Sequence, residues 1–291
     1  MSDERPPRSQ RPNRGRGQGG GKGPRRQGGQ GPGQSGPPKR RPAFKKPPLR
    51  IQTTTLWDYP SQHYGEGMQG DQRYIGATPS YVIWNLLQRY TEAGEIVVDP
   101  FCGSGTTLDV AKDLRRRGRG FDVNPFRGDI EEADARALPL DDETAHFVFM
   151  DPPYSDNIKY SDKPNCIGRI KATDEAYFEA LDEVFAETHR VLHPGRHMAV
   201  YICDTHSKKD GFVPIGTRCL ALLLQYFIPV DHIAVVRHNK TLKMGNYHRA
   251  AEEGNFFLRG FNHLIIMQKP PLTDAQPAGT GGGRSRGRRR G

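Results

Sequence analysis

Two short polar stretches in this 291-residue sequence combine residue types that could perform chemistry. Residues 99–107 read DPFCGSGTT and residues 151–154 read DPPY, and each directly follows an apolar run. In the first, Gly103 and Gly105 let the backbone approach a bulky ligand, because glycine adopts positive φ at no steric cost. In the second, Asp151 offers a carboxylate on a loop that two prolines stiffen. The pair indicates a ligand-binding turn and a rigid acidic loop.

The residues of the first stretch narrow the choice of ligand. A phosphate-binding P-loop would need a Lys where Thr106 stands, and a dinucleotide fingerprint would need a third glycine where Leu108 stands. Asp99 would repel a pyrophosphate, and it suits a ligand with an ammonium group and no phosphates, such as S-adenosylmethionine. Asp122 follows 23 residues later, where an acid commonly holds ribose hydroxyls. For this stretch alone, an ordinary strand–turn–helix with surface acids is the alternative.

Alternating strand-like and helix-like runs within residues 51–272 predict the elements that position both stretches. The strand-like runs are EIVVD, GRGFDV, AHFVFMD, HMAVYICD, DHIAVVRHN and FNHLIIMQK, and the helical runs are TTLDVAKDLRRRG, DEAYFEALDEVFAETHRVL and GTRCLALLLQYF. Such alternation predicts an α/β domain with a mostly parallel, twisted sheet. Ligands of these sheets lie beyond the carboxyl ends of the strands. Since both stretches follow a predicted strand, we expect them at the same edge, sharing one crevice.

Positive charge is concentrated at the two ends of the chain. The whole sequence is +10, residues 1–50 are +12 and residues 273–291 are +4, so residues 51–272 are −6. Both ends are rich in Arg and Gly, and we expect them to be disordered, because they have too few apolar side chains to offset the ordering entropy. Their Arg runs suit contacts with nucleic-acid phosphates. A solubility role and nuclear targeting are the alternatives.

The spacing of cysteines and histidines and the length of the apolar stretches indicate the cellular compartment and whether a metal is bound. The four cysteines lie far apart, without metal-ligand or redox spacing, and the N-terminus does not resemble a signal peptide. The longest apolar stretch, CLALLLQYFIPV, is shorter than the ~20 residues of a membrane-spanning helix. Three histidines in HRVLHPGRH (189–197) are four residues apart, but a Pro–Gly pair interrupts the helix, so no metal site is predicted. We expect a reduced, soluble, cytoplasmic protein that contacts no membrane.

Taken together, DPFCGSGTT and DPPY resemble the motif pair of the S-adenosylmethionine-dependent DNA amino-methyltransferases (N4-cytosine/N6-adenine) of the DPPY type. The resemblance covers roughly residues 55–270. It implies a single Rossmann-like class I methyltransferase domain with an antiparallel last strand. It also implies S-adenosylmethionine as the cofactor and the exocyclic amino group of a nucleic-acid base as the acceptor.

The resemblance assigns cofactor-binding residues to the matching segments. Thr78 and Pro79 would close over the methionine end, Asp122 in FDVNP would hold the ribose, and Asp134 in EADARALPL would contact the adenine ring. The complete predicted set is Thr78, Pro79, Asp99, Pro100, Phe101, Gly103, Gly105, Thr106, Asp122, Asn124 and Asp134.

The second stretch supplies the predicted catalytic residues, Asp151, Pro152, Pro153 and Tyr154. An exocyclic amine is a poor nucleophile, because its lone pair is delocalised into the base. Asp151 and the Pro152 carbonyl would accept the amino hydrogens and aim the lone pair at the methyl group, while both prolines keep the loop rigid. The Tyr154 ring offers a face for base stacking, worth ~1–3 kcal/mol per base.

Two further segments would surround the nucleic acid. Residues 155–166 are polar, include Tyr160 and could fold over the substrate. Residues 237–256 form a local basic patch where a phosphate backbone could be gripped, with a mobile surface hairpin as the alternative. The predicted substrate-binding residues are Tyr160, Arg237, Lys240, Lys243 and Arg249.

Three functions are compatible with these residues. The first, which we favour, is an S-adenosylmethionine-dependent DNA methyltransferase acting on the exocyclic amino group of adenine or cytosine. The second is an RNA methyltransferase acting on a base of rRNA or tRNA, which the Arg–Gly tails favour, as does the lack of a large recognition region beside the core. The third, a non-catalytic nucleic-acid-binding protein that kept the fold, is the least favoured, because the residues of both motifs are intact. The base, the recognition sequence and the oligomeric state are not predicted.

Overall fold

The computed structural model describes residues 46–207 and 209–272. Ten strands occur in this part of the chain: β1 Leu56–Trp57, β2 Ile96–Asp99, β3 Arg117–Asp122, β4 Glu131–Glu132, β5 Ala145–Met150, β6 Leu192–Ile202, β7 Thr205–Ser207, β8 Gly211–Val213, β9 Ile228–Val236 and β10 Phe261–Gln268. Five α-helices accompany them: α1 Ser80–Tyr90, α2 Thr106–Asp113, α3 Glu175–Val191, α4 Ile215–Leu223 and α5 Gly245–Gly254. Short 3-10 turns cover Ser155–Asn157, Ile167–Arg169 and Lys240–Lys243.

Eight of these strands form one sheet in the order β1-β9-β10-β6-β5-β2-β3-β4, and β7 and β8 form a separate hairpin. All neighbours in the large sheet are parallel except β10, which is antiparallel to both β6 and β9. This confirms the predicted fold class, an α/β domain of Rossmann-like class I methyltransferase type with an antiparallel last strand.

Helices cover both faces of the sheet, and the period of two along each strand decides which side chain faces which layer. Val97 and Phe147 pack on the α1 and α2 side, whereas their neighbours Val98 and Val148 pack on the α3 and α4 side. A strand covered on both faces needs apolar residues at every position. This explains why the central strand β5 reads AHFVFM, apolar at every position except the half-buried His146.

Strand register places the two polar stretches together. Val98 of β2 pairs with Val148 of β5, and Met150 of β5 pairs with Val200 of β6. Because these strands are parallel, their carboxyl ends reach the same edge of the sheet. Asp99, Asp151 and Cys203 therefore follow one another along this edge.

The structure differs from the sequence prediction mainly in the segment 237–256. It contains a 3-10 turn and helix α5, neither of which was predicted, and not the surface hairpin that was the alternative to a basic patch. The run HRAAEE favours a helix, but only Ala251 of α5 is buried, so the apolar pattern is weak. Asn255 ends the helix in the left-handed conformation with φ 51°, which asparagine adopts more readily than most residues. Strand β6 also begins earlier than predicted, directly after α3.

The predicted disordered tails fall mostly outside the described residues, which begin at 46 and end at 272. Residues 46–50, assigned to the first tail, contact the domain: Lys46 Nζ donates to the Gly65 carbonyl at 2.9 Å, and Tyr59 donates to the Pro47 carbonyl at 3.0 Å. Within the described ranges, no helix has the length and apolar content to cross a membrane. The same ranges contain no cluster of three His, Cys, Asp or Glu residues arranged to hold a metal ion.

Candidate active site

A cleft of about 960 Å³ opens at the carboxyl edge of the sheet. Both polar stretches line it, together with the segment before α1 and the segment between β9 and β10. The predicted site residues in its wall are Thr78, Pro79, Asp99, Phe101, Gly103, Thr106, Asp151, Tyr154, Tyr160, Arg237 and Lys243. The tertiary structure thus brings residues from three separate predicted groups into one cavity.

Asp99 holds the first stretch in shape. Its side chain is only 4% exposed, and its carboxylate accepts hydrogen bonds from the Phe101 amide at 3.0 Å and the Thr107 hydroxyl at 2.5 Å. Burial raises the pKa of Asp99 to about 7, and these two donors oppose the shift. The carboxylate therefore braces the turn between β2 and α2, a role that the sequence did not predict.

Asp122, at the end of β3, anchors the same turn from the neighbouring strand. Its carboxylate accepts hydrogen bonds from the amides of Gly103 and Asn124, each at 2.9 Å. Burial raises its pKa above the usual range. Asp122 does not line the large cleft, and Asn124 lies in an adjoining cavity of about 510 Å³ with Tyr160.

The two glycines of the first stretch have different neighbours. Gly103 has a φ of +43°, and a Cβ there would lie 2.7 Å from the Tyr74 ring. Gly105, with φ +78°, faces away from the cleft, where a Cβ would meet the Arg127 guanidinium at 2.5 Å. Arg127 in turn bonds Asp109 of α2 at 2.9 Å through two nitrogens. The absence of a side chain at Gly103 thus lets the Tyr74 ring approach inside the cleft. At Gly105 it lets the Arg127 guanidinium approach on the side away from the cleft.

Asp134 and Pro100, both predicted to bind the cofactor, do not line the cleft. The Asp134 carboxylate accepts two hydrogen bonds from the Arg136 guanidinium, at 2.9 and 2.7 Å, and one from Asn165 at 3.0 Å. These donors, Arg136 first, lower its pKa. Pro100 forms the turn directly after β2.

Asp151, in the wall of the cleft, lies between two hydroxyl donors. Thr78 donates to one carboxylate oxygen, and Tyr154 donates to the other at 2.5 Å. Asn262 of β10 donates to the Tyr154 hydroxyl at 3.0 Å, which fixes the tyrosine ring. Burial raises the pKa of Asp151 to about 7. The hydrogen bonds from Thr78 and Tyr154 and the positive charge of Arg237 act in the opposite direction and lower it. A carboxylate with this pKa can exchange a proton near neutral pH.

The two prolines of DPPY are buried and do not line the cleft. The Pro153 carbonyl accepts a hydrogen bond from Tyr177 of α3 at 2.7 Å. Behind the loop, a Cβ on Gly168 would lie 3.0 Å from Pro153. The prolines therefore pin the acidic loop to the α3 layer and leave Asp151 and Tyr154 as its cleft-facing members.

Residues 60–79, which we call the strap, cross over the first stretch and reach the second. The Gly70 amide donates to Asp109 at 2.7 Å, and the Asp71 amide donates to the Ser104 carbonyl at 2.9 Å. Farther along, Thr78 bonds Asp151. The strap therefore connects the two halves of the cleft, and Tyr74, the ring over Gly103, is a lining residue with no motif signal in the sequence.

The predicted substrate-side residues separate into two groups. Arg237 and Lys243 line the cleft and Arg249 does not, while the side chain of Lys240 lies outside the described part of the chain. Arg249 is on the exposed side of α5, 3.9 Å from Glu253. Cys203, which was not predicted, accepts a hydrogen bond from Arg237 at 2.8 Å. Its place after the strand-like run HMAVYI was the available signal.

Parts of this chain are similar in sequence to known DNA methylases. Residues 34–132 match the family model N6_N4_Mtase, described as DNA methylase. The match contains the first stretch and ends before DPPY. M.MjaII, a type II methyltransferase from Methanocaldococcus jannaschii, is 34% identical over 65 residues. Both matches support a relationship between this part of the chain and the N6/N4 DNA methylases.

The similarity to M.MjaII covers one short segment of each protein. The segment shared with M.MjaII is 22% of this chain and only 12% of that protein. A SAM-dependent methyltransferase from Methanosarcina mazei superposes with a TM-score of 0.42 and 14% identity, over 64% of this chain and 98% of that one. TrmN from Thermus thermophilus superposes with a TM-score of 0.43 and 17% identity, over 67% of this chain and 50% of that one.

Proposed function

We propose that this protein transfers the methyl group of S-adenosylmethionine to the exocyclic amino group of adenine or cytosine in DNA. The observation that carries the proposal is the joint position of the two stretches. The turn after β2 and the acidic loop after β5 line one cleft, and Thr78 of the strap bonds Asp151 across it. The family match, which names DNA methylases, supports DNA as the substrate.

The residues on the cofactor side fit S-adenosylmethionine. The cleft of about 960 Å³ is at the upper end of the ~300–1,000 Å³ typical of small-molecule sites. Gly103 and Ser104 lead into the N-terminus of α2, and the Gly103 amide donates a hydrogen bond to the Asp122 carboxylate. Thr78, Phe101 and Gly103 would hold the cofactor, and Asp122, which does not line the cleft, would position Gly103 for the ribose side through the Gly103 amide. Once bound, S-adenosylmethionine supplies an electrophilic methyl group on a sulfonium.

Asp151 would act on the amine that receives the methyl group. Each carboxylate oxygen has two acceptor sites, so the hydrogen bonds from Thr78 and Tyr154 leave capacity for an amino hydrogen of the base. Accepting that hydrogen localises the lone pair on the nitrogen. When the new N–C bond forms, the methyl–sulfur bond would break and leave its electron pair on sulfur as a thioether. The nitrogen must also lose one proton, and a carboxylate with a pKa of about 7 can take it.

The rest of the site limits the motion of these groups. The buried prolines and the Tyr177 hydrogen bond fix the loop, and Asn262 fixes the Tyr154 ring. A base held against this ring is thereby oriented toward the cofactor side. Orientation of this kind contributes an effective molarity of ~10⁵ M or more.

The test is methylation by the purified full-length protein with isotope-labelled S-adenosylmethionine and either genomic DNA or total RNA, followed by nucleoside mass spectrometry. We expect label in N6-methyladenine or N4-methylcytosine of DNA. Asp151→Asn should abolish most of this label, whereas Asp141→Asn, a change at an exposed loop outside the cleft, should not. Label in RNA alone would replace DNA by RNA as substrate, and no label in either would overturn the enzymatic proposal.

A further inference from the structure

Phe257 is a large aromatic side chain in an unusual place. It follows α5, lines the cleft and is 84% exposed. Scattered exposed apolar side chains are common, but Phe257 lines the cleft, where its ring face is accessible to a ligand. We propose that Phe257 stacks on a nucleotide base that flanks the target base. This inference rests on the proposed function, because both place nucleic acid in this cleft.

The local backbone presents Phe257 in a defined direction. The preceding Phe256 packs inward: its ring stacks on His206 at 4.7 Å with an interplanar angle of 14°, and its amide donates to the Ala251 carbonyl at 3.0 Å. On the other side, Arg259 donates to the Phe257 carbonyl at 2.7 Å. The turn is thus held on both sides of Phe257, so the backbone that carries its ring loses little further freedom when a base stacks on it.

Charge around Phe257 identifies the class of partner. Residues 237–259 contain five Lys or Arg and two Glu, a net charge of +3, within the segment 51–272 that carries −6. Arg237, Lys243 and Arg259 line the same cleft as Phe257. A cationic strip beside an exposed aromatic fits a strand with anionic phosphates and accessible base faces. A purely apolar protein partner would offer no negative charge to these three cationic side chains.

Stacking on Phe257 needs a base whose face is not covered by its neighbour. The strand must therefore be unstacked next to the target base, and unpaired DNA meets this condition without the cost of opening a duplex. We expect the full-length protein to bind a single-stranded DNA 12-mer through Phe257. Truncation of a stacking ring typically costs ~1–3 kcal/mol per base, so the Kd should rise roughly 5- to 150-fold in Phe257→Ala.

The experiment is fluorescence anisotropy of a fluorescein-labelled single-stranded DNA 12-mer with full-length protein. Phe257→Trp keeps a stacking ring and should bind as tightly as the wild type or more tightly. Phe257→Leu keeps apolar bulk without a ring and should resemble Phe257→Ala. Leu224→Ala removes a 51%-exposed apolar side chain outside the cleft and should leave the Kd unchanged. Because Phe257 is so exposed, these changes should preserve the fold, which circular dichroism checks.

The outcomes separate this inference from the proposed function. Wild-type affinity in Phe257→Ala, or no binding of the 12-mer by the wild type, would overturn the stacking role even if the protein methylates DNA. Equal affinity of the Leu and Trp variants would also overturn it, since an apolar contact would then suffice. Ring-dependent binding in a protein that methylates neither DNA nor RNA would uphold the base contact and refute the enzymatic proposal.

Discussion

Thr78→Val isolates the electrostatic role of the strap in the candidate active site. The Thr78 hydroxyl donates to the Asp151 carboxylate, and this hydrogen bond opposes the effect of burial on the Asp151 pKa, which is raised to about 7. Valine has nearly the same shape but no donor. Without the hydroxyl, the ionised carboxylate loses a partner, so the pKa of Asp151 should rise further.

The size of the effect follows from the strength of that hydrogen bond. A hydrogen bond to a charged group contributes ~1.5–3 kcal/mol, and one pKa unit equals about 1.4 kcal/mol, so the pKa should rise by roughly 1–2 units. Since Asp151 acts as a carboxylate, activity at pH 7 should fall roughly 5- to 50-fold. At about pH 9.5 the carboxylate is ionised in both proteins, and the difference should shrink to less than about 2-fold.

The assay is the pH dependence of methyl transfer at saturating cofactor, with the wild type, Thr78→Val and Thr78→Ser compared. The acidic limb of the rate profile should move to higher pH in the valine variant and stay near the wild-type position in the serine variant. An equal loss at every pH would refute the reasoning, because it would show that Thr78 acts on something other than the protonation of Asp151. An unmoved acidic limb would refute it as well.

Three further changes test other parts of the site. Asp151→Asn should reduce methyl transfer ~10²–10⁴-fold with unchanged affinity for S-adenosylhomocysteine in calorimetry, and a lost affinity would contradict its assignment to the acceptor side. Gly103→Ala should weaken that affinity and lower the Tm, because its Cβ would lie 2.7 Å from the Tyr74 ring, and adding Tyr74→Ala should restore part of the loss. Burial raises the pKa of Asp99 to about 7, above its value of about 4 in the unfolded chain. The free energy of unfolding should therefore fall as pH rises from about 4 to 7, because the unfolded chain releases the Asp99 proton more readily. Asp99→Asn should remove about 4 kcal/mol of this pH dependence in urea unfolding, and an unchanged dependence would show that Asp99 titrates normally in the folded protein.

The sequence was sufficient to predict the fold and the position of the two polar stretches. Alternating runs of strand and helix residues predict a parallel sheet, and in such a sheet every βα turn reaches the same edge. The turn at 99–107 and the loop at 151–154 therefore had to be neighbours once the class was known. Helix α5 was missed because only one of its residues is buried, so no apolar stripe marks it in the sequence.

The roles of individual carboxylates depended on contacts that no local pattern contains. Asp99 and Asp151 look alike in the sequence, since each is an acid before a proline at the end of an apolar run. The structure separates them: Asp99 is braced by Thr107 within its own turn, whereas Asp151 is bonded by Thr78, which is 73 residues away.

Local sequence determined the elements and their order, because helix and strand preferences and apolar periodicity act over a few residues. Tertiary packing decided what surrounds each functional group. The strap over Gly103, the Asn262 bond to Tyr154 across 108 residues and the outward position of Phe257 all depend on which elements meet at the sheet edge. Burial and hydrogen bonding at that edge set the pKa of Asp151, and these are properties of the assembled fold rather than of any one segment.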